Sequence, residues 1–147
     1  LIVFEKQTRL SEIVKTGVAI DGKITSGLLV SIFYPNTPLH DGAVIINRDK
    51  VKAAGCFLPL SENYNIKKTL GTRHRAAIGV TETSDCMTLV VSEETGIISI
   101  AESGKLNRTI DMIALKEKLC DLYSTEDENQ GFFSKWRNKY EKNRTEK

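Results

Sequence analysis

Cysteine, proline, histidine and tryptophan are all scarce here: three, three, two and one among 147 residues. Cys56, Cys86 and Cys120 lie thirty or more residues apart, form no CxxC pair, and are odd in number, which excludes a disulfide framework. They read as half-buried thiols of a reducing cytosol. No run approaches about 20 apolar residues, so no segment has the make-up of a membrane-spanning helix. Neither sign of charge dominates, with 21 Lys and Arg against 19 Asp and Glu. The layout matters more than the total. Residues 135–147 hold six basic and two acidic side chains, leaving 15 basic and 17 acidic in the rest. A mildly acidic body lacks the clustered Lys and Arg of a nucleic-acid binder, so no nucleic-acid partner is expected. The chain opens at Leu1, inside an apolar run and without Met, which reads as a piece of a longer protein.

What is present suits a single soluble domain: 40% hydrophobic and 27% charged residues. Leu10, Ile13 and Val14 share a helical face between Glu5 and Lys15, with Gly17 as a stop. Val18–Ile20 reads as a strand ended by a turn at Asp21-Gly22-Lys23. Thr25 or Ser26 caps a second helix with Leu28, Leu29, Ile32 and Phe33 turned inward. Pro35 and Pro38 then stiffen a loop into His40-Asp41-Gly42-Ala43. Two hairpins are expected, Val44–Asn47 with Val51–Leu58 and Met87–Val91 with Ile97–Ala101, separated by a helix entered at Gly71. A last helix covers about Thr109–Tyr123. This pattern predicts an α/β (α+β mixed) fold, a central mixed and largely antiparallel sheet covered by helices. The domain is expected over residues 1–123, and residues 124–147 as a charged, flexible tail whose apolar content is Phe132, Phe133 and Trp136.

Three segments carry residues suited to chemistry. His40 and Asp41 sit at the mouth of a strand, and Gly42 permits the bend that lets both reach one cation. Imidazole with carboxylate suits Mn²⁺, Co²⁺ or Zn²⁺, whereas carboxylate with phosphate oxygens suits Mg²⁺. An ordinary Asx-type turn with a surface histidine explains the same residues. Gly71-Thr72-Arg73-His74-Arg75 combines free N–H groups at a helix start with a hydroxyl and two guanidinium groups, the parts of a phosphate cradle. A solvated basic helix start explains the same residues, although two arginines facing the positive end of the helix dipole make an anionic partner a reasonable explanation. There is no GxxxxGK[ST] loop, so this is not a Walker A cradle. Ser92-Glu93-Glu94-Thr95-Gly96 offers a hydroxyl and carboxylates, or simply a polar turn with Gly96 at positive φ. Ser92, His74 and Asp41 formally compose a hydrolase triad, but no GxSxG elbow supports one. Phe57, after Ala53-Ala54-Gly55, is expected in the core, and secondarily as a platform for a base.

Taken together, these segments resemble a known family. Pro38-Leu39-His40-Asp41-Gly42-Ala43-Val44 is similar to the DGA motif of diadenylate cyclases, and Leu70-Gly71-Thr72-Arg73-His74-Arg75-Ala76 to their RHR motif. Ala53-Ala54-Gly55-Cys56 and Val90–Gly96 match in order and spacing. The resemblance covers roughly Leu1–Leu122 and is nearest the membrane-anchored type of Gram-positive bacteria. It implies condensation of two ATP molecules into cyclic di-AMP with release of two pyrophosphates, and a divalent metal (Mg²⁺, Mn²⁺ or Co²⁺). It implies catalytic roles for Asp41, Arg73, His74 and Arg75. ATP contacts are implied for Gly42, Ala43, Phe57, Leu58, Thr72, Arg73 and Ser92, and metal contacts for His40, Asp41 and Glu94. A homodimer is implied as the catalytic unit, with a membrane regulator and phosphoglucosamine mutase as further partners. The parent protein is then expected at the cytoplasmic face of the cell membrane, its transmembrane helices preceding this domain. Two positions depart from the family pattern: Gly22 stands where Ala is frequent, and Phe57 where Tyr is common.

Overall fold

A computed structural model describes residues 1–67 and 69–124. The expected tail from residue 125 on lies outside the described residues. Leu1–Ile110 forms one compact unit, and a second begins at Asp111. Within the first unit the elements run β1 (Ile2–Phe4), α1 (Ser11–Val14), β2 (Val18–Lys23), α2 (Ser26–Ile32), β3 (Ala43–Asn47), β4 (Lys50–Cys56), α3 (Thr72–Thr83), β5 (Met87–Val91), β6 (Ile98–Glu102) and β7 (Lys105–Arg108). In the second unit, α4 (Met112–Ser124) is started by Asp111, whose Oδ1 accepts from Ala114 N at 2.8 Å. Among the described residues, no helix is long and apolar enough to cross a membrane.

The seven strands form one sheet in the order β2-β4-β3-β1-β5-β6-β7. The mixed, largely antiparallel sheet read from the sequence is what the chain forms: β1 runs parallel to β3, and every other pairing is antiparallel. The apolar opening run is the short central strand that stitches the two hairpin systems together. Val3 pairs with Ile45 on one side and Thr88 on the other. β3 carries Ala43, Val44, Ile45 and Ile46 in succession, all buried, so both faces of the sheet centre are covered. On one face Val3, Ala43, Ile45, Ala53 and Cys56 pack with Val80 of α3, with Ile13 and Val14 of α1 beside them. Ala77 and Ile78 of α3 continue the layer onto Val90 and Ala101.

Several local expectations change. The first helix is a single turn, Ser11–Val14, because Glu5 is drawn inward instead of continuing a helix. Its buried carboxylate accepts from Leu10 N and from Asn47 Nδ2, both at 2.7 Å. Asp21-Gly22-Lys23 is no turn: β2 runs through it with a bulge, Asp21 at φ 48°, and Lys52 Nζ holds the Asp21 carboxylate at 2.7 Å. Strand β7 adds a pairing to β6 that the sequence reading lacks. Thr25 caps α2 as expected, its Oγ1 accepting from Leu28 N at 3.1 Å, but only Ile32 of that helix is buried. Phe57 is not core. β4 ends at Cys56, and the ring just beyond it is 73% exposed.

Candidate functional site

The loop before β3 is set by steric contact. Gly42 sits at φ +99°, and a Cβ there would lie 2.8 Å from both Cys56 O and Gly55 C. The Asp41-Gly42 backbone therefore lies flat against the end of β4, which only glycine allows. This fixes Asp41 at the strand mouth with its side chain 83% exposed. Upstream, Thr37 O is 2.6 Å from His40 Nδ1. A carbonyl only accepts, so Nδ1 carries a proton, and Nε2 is the nitrogen left to accept in the neutral tautomer.

Helix α3 starts opposite. Gly71 precedes it in extended conformation without any side-chain cap, and no acidic residue lies in its first turn. The first main-chain bond is Arg75 N to Gly71 O at 3.2 Å, so the N–H groups of Thr72, Arg73 and His74 have no helical partner. That end carries roughly half a positive charge from the aligned peptide dipoles. Arg73 adds a full one. Its guanidinium lies 3.5 Å from Asp41 Oδ1 and 2.7 Å from Glu93 Oε2, so one arginine joins the loop before β3 to the β5–β6 turn.

Between these elements lies a pocket of about 160 Å³. Asp41, Gly42 and Ala43 form one wall, and Thr72, Arg73 and Ala76 of α3 another. Cys56, Phe57, Leu58 and Leu60 complete it together with Leu1. Burial pushes the Cys56 thiol up to about 11, against a weaker opposing hydrogen bond from the Gly17 backbone, so it is an uncharged wall group and not a nucleophile.

Of the residues singled out in the sequence, Asp41, Gly42, Ala43, Phe57, Leu58, Thr72 and Arg73 line this one pocket. His40, His74, Arg75, Ser92 and Glu94 are not in its lining. The His74 side chain is buried, with Nε2 enclosed and unpartnered. Burial, and then the charge of Arg108, lower its pKa and disfavour the charged ring. A Ser92–His74–Asp41 triad is thus not assembled, since His74 is enclosed whereas Asp41 is open to solvent. Arg75 reaches the Ser61 carbonyl at 2.8 Å. Ser92 Oγ accepts from Thr95 N at 3.3 Å inside the β5–β6 turn, and Glu94 is exposed there. The carboxylate brought to Arg73 is that of Glu93, which the sequence reading named only as part of the turn. Cys56, Leu60 and Ala76 are pocket residues that carry no motif signal of their own.

Among the described residues, no three His, Cys, Asp or Glu side chains are grouped so as to hold a metal ion. The donors present, an exposed Asp41 carboxylate and the Nε2 acceptor of His40, fit a cation that also draws on phosphate oxygens and water. They do not make a cage of their own.

The profile of the family described as "DisA bacterial checkpoint controller nucleotide-binding" (DAC) matches residues 1–106. "Cyclic di-AMP synthase CdaA" of Bacillus subtilis is 50% identical over 119 residues, which are 81% of this chain and 44% of that protein. "Diadenylate cyclase" of Listeria monocytogenes is 45% identical over 138 residues, 93% of this chain and 50% of that protein. The chain thus spans about half the length of these relatives. The crystal structure of a cysteine double mutant of DacA from Staphylococcus aureus superposes with a TM-score of 0.81 at 51% identity, covering 83% of this chain and 81% of that one. A "hypothetical membrane spanning protein" from Bacillus cereus gives a TM-score of 0.72 at 45% identity, covering 75% of this chain and 54% of that one.

Proposed function

Because the chain belongs to the DAC nucleotide-binding family, we propose that it is the cyclase domain of a diadenylate cyclase, joining two ATP molecules into cyclic di-AMP. The observation that carries this reading is the convergence of Asp41 and Arg73 with the uncapped start of α3 at one pocket that the exposed Phe57 also lines. That set, a carboxylate and a cation beside a helix N-terminus together with an exposed aromatic, supplies partners for a ribose, a triphosphate and a base. In each half-reaction a ribose 3′-oxygen attacks the α-phosphorus of the other ATP. One P–O bond forms, the α–β bridging bond breaks, pyrophosphate leaves and the hydroxyl proton is released.

Chemistry of this kind needs positioning and neutralisation of charge on the phosphoryl oxygens. Thr72, Arg73 and the N–H groups of the first turn of α3 supply donors for phosphate, and His74 acts there through its main chain. Ser92 adds a hydroxyl at the β5–β6 turn. Arg73 is paired with the carboxylates of Asp41 and Glu93. Its 3.5 Å contact with the solvent-exposed Asp41 is weak, of order 1 kcal/mol or less, so a triphosphate displaces it readily. Asp41 is then available to the 3′-hydroxyl and to a divalent cation. Mg²⁺, Mn²⁺ or Co²⁺ would be held by Asp41, with His40 and Glu94 as further donors and phosphate oxygens completing the shell. When bound, the cation supplies charge neutralisation at the reacting phosphate. Phe57 and Leu58 face the base, Phe57 by stacking and without the hydroxyl a tyrosine would add.

The pocket is well below the roughly 300–1,000 Å³ of sites that enclose a ligand of drug size. A nucleotide would fill it and project past Asp41 and Phe57. This supports a homodimer in which two facing protomers each present one ATP. Location at the cytoplasmic face of a membrane, and contacts with a membrane regulator and phosphoglucosamine mutase, belong to the same reading of the parent protein. The test is incubation with ATP and each cation in turn, with chromatography for cyclic di-AMP over a series of protein concentrations. Product whose rate per enzyme falls on dilution supports the reading. No product with any cation, even in concentrated protein, overturns it.

A further inference from the structure

Helix α3 has a third face that neither lines the pocket nor packs on the sheet, and it carries Arg75, Gly79 and Glu82 at spacings of four and three. All three meet the segment that follows β4. Arg75 Nη2 donates to Ser61 O at 2.8 Å, and Ser61 N donates back to Arg75 O at 3.0 Å, a two-way bracket. Ser61 is 1% exposed, and its Oγ donates to Glu82 Oε1 at 2.6 Å while accepting from Asn63 N at 3.3 Å. Between these contacts, Gly79 lets the backbones touch. A Cβ there would overlap Pro59 O and lie 2.7 Å from Ser61 N. A glycine inside a helix costs about 1 kcal/mol relative to alanine, so its place at this crossing is a compensated cost.

The strapped segment is continuous with Phe57, Leu58 and Leu60, which line the pocket where the chain leaves β4. One helix therefore serves two walls of the site: its first turn presents Thr72 and Arg73, and its outer face is bonded to the segment that continues the Phe57–Leu60 wall. We propose that Arg75, Gly79 and Glu82, acting through Ser61, are positioning residues that set the base-facing wall and so govern affinity for the nucleobase end of the nucleotide. In this proposal Arg75 acts through the Ser61 carbonyl that its guanidinium holds, not through phosphate. The inference rests on the pocket binding ATP, and its test separates the two.

Dissociation constants for ATP and for inorganic tripolyphosphate are measured by calorimetry at one fixed Mg²⁺ concentration. The proteins compared are the wild type, Glu82→Ala, Glu82→Gln, Arg75→Ala and Gly79→Ala. Loss of one bracket bond is expected to weaken ATP about fivefold in Glu82→Ala and Arg75→Ala, with tripolyphosphate within about twofold of wild type. Gly79→Ala, which forces the wall away, is expected to weaken ATP at least tenfold with the same sparing of tripolyphosphate. Glu82→Gln keeps an oxygen acceptor for Ser61 Oγ and is expected to restore ATP binding. Equal losses of ATP and tripolyphosphate, no loss of either, or failure of Glu82→Gln to restore binding would overturn the proposal. Should Gly79→Ala not fold, the Glu82 pair at its exposed position decides alone. A wild type that binds tripolyphosphate but gains nothing from the adenosine of ATP would overturn the nucleotide reading itself, and the proposal with it.

Discussion

Replacing Gly42 by alanine tests how rigidly the Asp41 loop is set against β4, and Gly55→Ala is its internal control. Gly42 lies at φ +99°, beyond the left-handed well near +57°, so alanine there costs at least the roughly 1–2 kcal/mol of a left-handed residue. Its Cβ would also lie 2.8 Å from Cys56 O and Gly55 C, backbone atoms of a paired strand that cannot swing aside. Overpacking of that kind adds about 1–3 kcal/mol, for a total of roughly 2–5. Gly55 is also at positive φ, +65°, but its nearest neighbours, Asp41 O and Pro38 O, would sit 3.5 and 3.6 Å from the new methyl group. Only the conformational cost of about 1–2 kcal/mol applies there. At about 2–4 °C per kcal/mol for a domain of this size, Gly42→Ala lowers the melting midpoint by roughly 5–20 °C and Gly55→Ala by roughly 2–8 °C. Calorimetry on the two variants side by side reads the difference. A midpoint for Gly42→Ala no lower than that for Gly55→Ala would refute the claim that steric contact with β4 fixes Asp41.

Three further outcomes follow from the geometry. Glu93→Gln removes the carboxylate held 2.7 Å from Arg73 and frees the guanidinium for anions, so tripolyphosphate should bind about 2–5-fold tighter by calorimetry; weaker binding would show that Glu93 orients Arg73 instead of competing for it. The buried His74 has its pKa lowered by burial and then by Arg108, so the unfolded chain binds its proton more readily than the native one. Its contribution is fully present above the unfolded pKa of about 6.5 and is lost as pH falls through the lower folded value. Denaturant midpoints between pH 7.5 and 5 should accordingly fall less steeply in His74→Gln than in wild type, and parallel slopes would contradict this. Finally, burial raises the thiol pKa of both Cys56 and Cys86, so at pH 8 the folded protein should show a disulfide reagent only Cys120 as a fast thiol. Fast modification of Cys56 would mean that the pocket wall opens.

The elements that position the pocket were legible where local signals agree with their tertiary setting. Proline before His40-Asp41-Gly42 and an uncapped glycine before Thr72-Arg73 mark the two backbone ends that converge. The two hairpins follow from runs of β-branched residues around polar turns. What escaped was decided by non-local partners. Nothing in Glu93-Glu94 says which carboxylate a turn will aim at Arg73, because adjacent turn residues diverge by an angle that only the folded turn sets. β7 has one apolar residue, Leu106, and its signal was the preceding Ser103-Gly104, both at positive φ as in a tight hairpin turn. Phe57 looked like core by its type and its small neighbours. It became rim because Gly55 and the approach of Gly42 end the strand at Cys56, two residues before the expected Leu58. The role of Arg75 was the hardest to read. A basic residue in a basic motif suggests phosphate, and its bond to the buried Ser61 carbonyl depends on a partner that only the fold brings near.

The central claim, that Asp41 and Arg73 meet at a pocket built to join two ATP molecules, is tested most directly by one comparison. Wild type and Asp41→Asn are incubated with ATP and Mn²⁺ at equal, high protein concentration, and cyclic di-AMP and pyrophosphate are quantified by chromatography. The account predicts two pyrophosphates for each cyclic di-AMP from wild type, and no product from Asp41→Asn with its melting midpoint unchanged. Equal product from both proteins, or none from wild type while it binds ATP, would contradict it.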